Sequence, residues 1–169
     1  NFLLTAGLET VLDFVERARF SEPELDWLAT LGHFPRDFLD HLADWRFDGD
    51  IDAVPEGTVM FPDEPVLRIT APLPQAQLLE SRLMNLVHFQ TLIASKAARS
   101  ALVAPDRLLV DFGLRRAHGA EAGLLAARSA YLAGFAGTAT VLAGQYYRIP
   151  LFGTMAHSYI QAHDSELEA

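Results

Sequence analysis

Apolar residues at positions 2, 3, 6, 8, 11, 12, 14 and 15 recur at three- and four-residue spacing, which predicts an amphipathic helix over 2–18. Ser21, with Glu24 three positions on, forms a capping-box pattern ahead of Leu25, Trp27, Leu28 and Leu31, and Gly32 supplies a stop. A third short helix is predicted over 35–45, ahead of the turn signal Asp48-Gly49-Asp50. Between 51 and 74 the pattern switches to brief β-type runs at 58–61 and 65–70, divided by Pro55, Gly57, Pro62 and Pro72. Such punctuation predicts a small antiparallel unit. Residues 75–104 then form the longest periodic stretch, with Leu78, Leu83, Leu86, Leu92 and Ala97 on one broad apolar face. A helix of that length normally bridges two layers or domains.

The last third follows another grammar. An apolar run at 107–112 ends in Gly113, an Ala-rich helix is predicted over 119–132 and a helical piece over 138–147, and a second strand at 149–152 precedes a final helix starting near Thr154. Strand, helix, strand, helix with continuous apolar strands is the order of a parallel sheet buried on both faces. Two strands are far short of the eight or so that close a barrel. The expected fold class is therefore α/β: an α+β N-terminal domain over 1–104 that includes the long helix, then the first strand–helix units of an incomplete, irregular α/β barrel over 105–169. Asn1 opens the chain with no basic leader segment, and no Gly or Pro stop precedes Ala169. Both ends read as those of a fragment.

Composition narrows the partners. With 22 acidic against 13 basic residues in 169, the net charge is −9, so neither nucleic acid nor an anionic membrane surface is an expected partner. Half the residues are hydrophobic and 21% charged, which excludes a disordered chain. The absence of cysteine removes disulfides, thiolate metal sites and cysteine nucleophiles together, and fits a reducing cytoplasm. No apolar run approaches the roughly 18 residues of a membrane span.

In parallel α/β folds ligands gather at the carboxyl ends of strands, and two such ends carry chemistry. The first reads Asp111-Phe112-Gly113-Leu114-Arg115-Arg116-Ala117-His118-Gly119. Consecutive side chains leaving a strand diverge, so Arg115 and Arg116 are expected to differ in role. One can hold a phosphate or carboxylate in its donor fork while the other pairs with a protein acid such as Asp111. Two solvated arginines starting a loop are the plainer alternative. The second end reads Gly153-Thr154-Met155-Ala156-His157-Ser158-Tyr159. Thr154 is a natural N-cap and would put His157 in the first helical turn, where the helix dipole disfavours imidazolium and leaves a neutral, nucleophilic ring. Such a histidine can accept a phosphoryl group; a bystander histidine on a short helix is the alternative. Gly137 and Thr138 precede a further apolar helix and offer a possible phosphate site, with a simple capped turn as the competing reading. No His-Glu-x-x-His, P-loop or GxGxxG motif occurs, and no residue set reads as a metal site.

Taken in order, several segments resemble the nicotinate phosphoribosyltransferase family: Asn1 to Glu9, Pro55-Glu56-Gly57-Thr58, Glu64-Pro65, the long helix from Gln77 through Asn85 to Arg99, DFGLRRAHG at 111–119 and GTMAHSYIQ at 153–161. The resemblance implies a type II phosphoribosyltransferase-like fold, with an active site at the mouth of an irregular barrel completed across a homodimer interface. It implies joining of nicotinate to 5-phosphoribosyl 1-pyrophosphate in NAD salvage, giving nicotinate mononucleotide and pyrophosphate, with ATP hydrolysed through a phosphohistidine and Mg²⁺ assisting. By the same resemblance His157 is the phosphohistidine, Thr154 belongs to the nicotinate pocket with Ser158 nearby, Phe112 and Gly113 lie beside the pyridine ring, and Arg115 contacts substrate anions.

The segment 136–145 departs from the family, which often has Asp, Ser, Asn and Lys where Ala136, Ala139, Thr140 and Gln145 stand. The family's tyrosine-bearing N-terminal stretch and its later phosphate-binding loops fall outside these 169 residues, so the piece alone is expected to be inactive. A nicotinamide-using relative is one alternative. Another is a catalytically silent module that dimerises through the long helix around Leu83 and Leu92.

Overall fold

A computed structural model describes residues 2–168; Asn1 and Ala169, the two ends read above as those of a fragment, lie outside the described residues. The chain divides into two compact units, residues 1–92 and 93–169. The division falls inside the long helix, whereas the sequence places it after the helix, at Ala104.

The first unit begins with a strand, not a helix. β1 (Leu3–Leu4) pairs antiparallel with β3 (Val59–Met60), Leu3 opposite Met60. α1 starts only at Leu8 and runs to Arg17. The break is Gly7, at φ 105°, where an added Cβ would lie 2.9 Å from the Leu86 carbonyl oxygen. A side chain is excluded by both conformation and space, so the three- and four-residue spacing extends through a turn that cannot be helical. α2 (Glu22–Thr30) opens as the capping box predicts, with the Glu24 carboxylate accepting from the Ser21 N–H at 2.8 Å and from its hydroxyl at 2.7 Å. These two bonds hold the Glu24 carboxyl below the usual glutamate range, the hydroxyl contributing most. α3 (Arg36–Ala43) follows. β2 (Asp50–Ala53) and β4 (Leu67–Thr70) form a second antiparallel ladder, Asp50 opposite Thr70.

α4 (Leu73–Val103) is the long helix. Its part within the first unit supplies Leu79, Leu83 and Leu86 to a core shared with Ala6, Val11, Val15, Leu39, Leu42 and Trp45. Leu83 is buried while Leu92 is 54% exposed, so the two do not form a common dimerising face. Thr91 ties the helix to the segment after β1: its hydroxyl accepts from the Ala6 N–H at 3.2 Å and donates to the Ala6 carbonyl at 3.1 Å.

The second unit has the expected alternation, with shorter strands. β5 (Val110–Asp111) pairs in parallel with β6 (Gly137–Thr138), and Thr138 bridges in parallel to Leu151. Between β5 and β6 lies α5 (Ala120–Leu132), and α6 (Val141–Tyr147) precedes the Leu151 bridge. Thr138, predicted as the first residue of a helix, and Gly137 before it form a strand. Their backbone is claimed on one side by β5 and on the other by residues 150 and 152, with Thr138 N–H donating to the Pro150 carbonyl and Phe152 N–H to the Thr138 carbonyl, both at 3.0 Å. Among the described residues no helix is long and apolar enough to cross a membrane.

Candidate active site

Asp111 closes β5, and its carboxylate organises the turn that follows. Oδ1 accepts from the Gly113 N–H at 3.0 Å and Oδ2 from the Thr138 hydroxyl at 2.7 Å. Both acceptor atoms are therefore occupied by neutral donors, and the expected pairing of Asp111 with Arg115 or Arg116 does not form. The space above the carboxylate also sets the residue at 113: an added Cβ would meet Asp111 Oδ1 at 2.9 Å. Beyond Gly113 the chain makes a 3₁₀ turn, Leu114–Arg116, in which the Arg116 N–H donates to the Gly113 carbonyl at 2.9 Å. That turn rests on α5 at Gly123, where a Cβ would come within 2.4 Å of a Leu114 methyl.

Phe112, Arg115 and Arg116 are exposed, and neither arginine forms an ion pair among the described residues. Anchored backbone with free guanidinium heads is what an anion-binding turn needs, since the donor fork must be positioned without being consumed by protein carboxylates.

Thr138 has a different place from the one its sequence context suggests. It is fully buried, its hydroxyl accepts from the Thr140 N–H at 3.0 Å while donating to Asp111, and no lone phosphate can reach it without breaking that chain. Gly137 is packed equally tightly: a Cβ there would lie 2.3 Å from the Pro150 carbonyl oxygen and 2.6 Å from the Phe152 ring. The possible phosphate site at Gly137 and Thr138 is thus a strand joint rather than a helix N-terminus. The Thr140 hydroxyl is buried without a hydrogen-bond partner among the described residues.

After Phe152 the backbone leaves the sheet. Thr154 is exposed and does not cap a helix; α7 spans His157–Gln161 with Ala156 as its N-cap, so His157 opens the first turn as the first helical residue, without Thr154 as its cap. Pro150 and the Leu151 bridge extend the strand character before it, and the helix starts where the Ala156 carbonyl can accept from Tyr159 and Ile160. His157 and Ser158 are both exposed. Among the described residues no group of three or more acidic or histidine side chains is placed to hold a metal ion.

This arrangement of strand ends can be set beside known proteins. Residues 1–88 match the nicotinate phosphoribosyltransferase N-terminal domain and residues 108–168 the nicotinate phosphoribosyltransferase family. The chain belongs to the nicotinate phosphoribosyltransferase family. The nicotinate phosphoribosyltransferase of Mycobacterium tuberculosis strain H37Rv is 51% identical over 169 residues, which are 100% of this chain and 36% of that protein. That of Bacillus subtilis strain 168 is 39% identical over 169 residues, 100% of this chain and 34% of that one. The crystal structure of human nicotinic acid phosphoribosyltransferase matches with a TM-score of 0.85 at 38% identity, covering 95% of this chain and 33% of that chain. A nicotinate-nucleotide pyrophosphorylase from Pyrococcus furiosus has the same fold, with a TM-score of 0.78 at 22% identity over 100% of this chain and 36% of that chain. This chain therefore spans about a third of the length of the family members it matches.

Proposed function

We propose that this stretch forms part of an enzyme that joins nicotinate to 5-phosphoribosyl 1-pyrophosphate, releasing nicotinate mononucleotide and pyrophosphate. The observation that carries the reading is the adjacency of two motif-bearing strand ends: FGLRR follows β5, GTMAH follows the Leu151 bridge, and Thr138 lies between them in one parallel sheet. Membership of the family supports the same conclusion.

The chemistry suits such a site. The pyridine nitrogen attacks the ribose C1 as its bond to pyrophosphate breaks, passing through an oxocarbenium-like state. No protein nucleophile or base is needed, only orientation of the ring and cations for the leaving group. In this reading the exposed Phe112 ring and the Gly113 backbone flank the pyridine, Thr154 and Ser158 complete its pocket, and Arg115 binds substrate anions, with Arg116 available for phosphate. ATP coupling runs through His157: an unprotonated ring nitrogen attacks the γ-phosphorus, ADP departs, and water later cleaves the N–P bond. An exposed histidine with no ring hydrogen bond among the described residues leaves both nitrogens accessible to that step.

The Mg²⁺ implied by the family resemblance does not fit a protein-held site among the described residues, because no acidic cluster converges and Asp111 is already engaged. Mg²⁺ enters this reading only as a companion of substrate phosphates. A cytoplasmic homodimer is the assembly we assign.

The test uses the complete gene product. Incubation with γ-labelled ATP should leave an acid-labile phosphate on the wild type and none on His157→Asn, while nicotinate should outcompete nicotinamide as acceptor. Preference for the neutral amide overturns the substrate assignment; an acid-labile phosphate that survives His157→Asn overturns the histidine role.

A further inference from the structure

The two motifs proposed to bind substrate do not merely lie side by side; one residue is bonded to the strand end that precedes each of them. Thr138 sits at 0% exposure with each polar group committed. Its N–H and carbonyl are bonded to Pro150 and Phe152, the latter the residue immediately before GTMAH. Its hydroxyl donates to Asp111, whose other carboxylate oxygen holds the N–H of Gly113 inside FGLRR. The same hydroxyl accepts from the Thr140 N–H, fixing where β6 turns towards α6. The Asp111 carbonyl accepts from the Ala139 N–H at 2.8 Å, so backbone and side chain clamp the same pair of strand ends.

We propose that the buried Asp111–Thr138 pair is the positioning element of the site, setting the FGLRR turn in register with the strand end that leads into GTMAH. Neither residue touches substrate in this account; they act through the backbone of Gly113 and Phe152. Burial gives the hydrogen bond its leverage. A carboxylate 9% exposed with only two neutral donors cannot exchange a lost partner for bulk water, so removing the Thr138 hydroxyl forces the turn to move. Displacements of that kind reach catalysis at long lever arms: a misplacement near 1 Å can cost on the order of a hundredfold in rate. The sequence requirement is also specific. Serine preserves the hydroxyl, whereas valine keeps the shape and removes it.

The inference rests on the proposed transferase reading for its kinetic arm alone. In the complete gene product, Thr138→Val and Asp111→Asn should each raise the KM for nicotinate and lower kcat/KM by about ten- to a hundredfold. Thr138→Ser should stay within about threefold of wild type, and the Asp111→Asn/Thr138→Val double variant should lose no more than the worse single variant, because Thr138→Val removes the hydroxyl and Asp111→Asn the charge of one and the same hydrogen bond. Amide exchange supplies a readout independent of activity: the Gly113 and Thr140 N–H groups should exchange at least about tenfold faster in Thr138→Val, while amides in the first unit are unchanged. Should Thr138→Val fail to fold, Asp111→Asn carries the test, since it keeps an acceptor for the Gly113 N–H. Wild-type KM in a folded variant, multiplying losses in the double variant, or unchanged exchange at both amides overturns the proposal. Absence of transferase activity in the wild type overturns the functional reading instead, and the exchange arm then decides the fate of the pair.

Discussion

The Thr138 hydroxyl and Asp111 Oδ2 lie 2.7 Å apart although 27 residues of chain separate them. The contact exists because β5 and β6 are parallel neighbours in register, Asp111 opposite Thr138, with α5 as the crossover between them. Strand ends in such a sheet are where side chains from distant segments converge, and here the convergence is structural before it is chemical.

The tightest approach at this joint is steric. Gly137→Ala places a methyl 2.3 Å from the Pro150 carbonyl oxygen, a backbone atom that cannot swing aside. Destabilisation of about 1–3 kcal/mol is expected, typical of overpacking. Gly153→Ala, two residues after the bridge, meets nothing within 4 Å and should be close to neutral. Urea unfolding of both variants checks the contrast.

In the first unit Thr91 stands between a helix and an irregular segment. Thr91→Val keeps the shape but leaves the buried Ala6 N–H and carbonyl without the hydroxyl that serves both. A cost of about 1–3 kcal/mol follows from the loss of partners to buried backbone groups. Thr91→Ser retains the hydroxyl and should cost less, about 1 kcal/mol for the missing methyl. Thermal denaturation of the two variants separates the hydrogen bond from the packing.

Arg115 offers the opposite profile. The side chain is exposed and forms no ion pair among the described residues, so Arg115→Ala should alter stability by no more than about 0.5 kcal/mol. If its fork holds a substrate anion, the KM of that substrate should rise about tenfold or more, because charge-assisted bonds are the strong ones. Arg115→Lys should recover only part of the loss. Steady-state kinetics at matched Tm are the measurement, and an unchanged KM removes the residue from the binding site.

The capping box predicts a pH dependence with a definite sign. The folded-state pKa of Glu24 is lowered by the Ser21 hydroxyl first and the Ser21 N–H second. A carboxylate depressed in this way supports the fold above the ordinary glutamate pKa and loses that support as the pH falls through the folded value. The support from the cap should therefore fade as the pH falls through the ordinary glutamate pKa and be gone below the lowered folded value, seen as falling protection of the Ser21 amide relative to its intrinsic exchange. Glu24→Gln should remove this pH-dependent step.

Element types were largely legible in the sequence wherever the signal was local. The capping box at Ser21 and Glu24, the long periodic face of α4 and the apolar strand before Gly113 depend on neighbours within a few residues, and each appears close to its predicted position. The failures share a cause. Residues 3 and 4 carry helical spacing yet pair with β3, more than fifty positions away, because the left-handed Gly7 turn stops the helix from extending back. Gly137 and Thr138 resemble a helix N-terminus yet form a strand, because two other strand ends take their hydrogen bonds. Thr154 resembles an N-cap, but the helix starts at His157.

The candidate site divides in the same way. Residue types in FGLRR and GTMAH raise the expectation of anion binding and of a nucleophilic histidine, and the family resemblance adds that of a ring beside Phe112; the structure places these side chains at exposed positions. The partner of Asp111 was beyond reach of the sequence. An arginine four residues away is the natural guess from proximity along the chain, whereas a threonine 27 residues away takes the hydrogen bond. The sequence by itself determined the alternation of elements, the family and the chemical repertoire, because periodicity, caps and motifs are short-range. Only the tertiary structure decided which groups are consumed in holding the site and which stay free to act, because parallel strand register is set by pairing across the crossover helix and is written nowhere in local order.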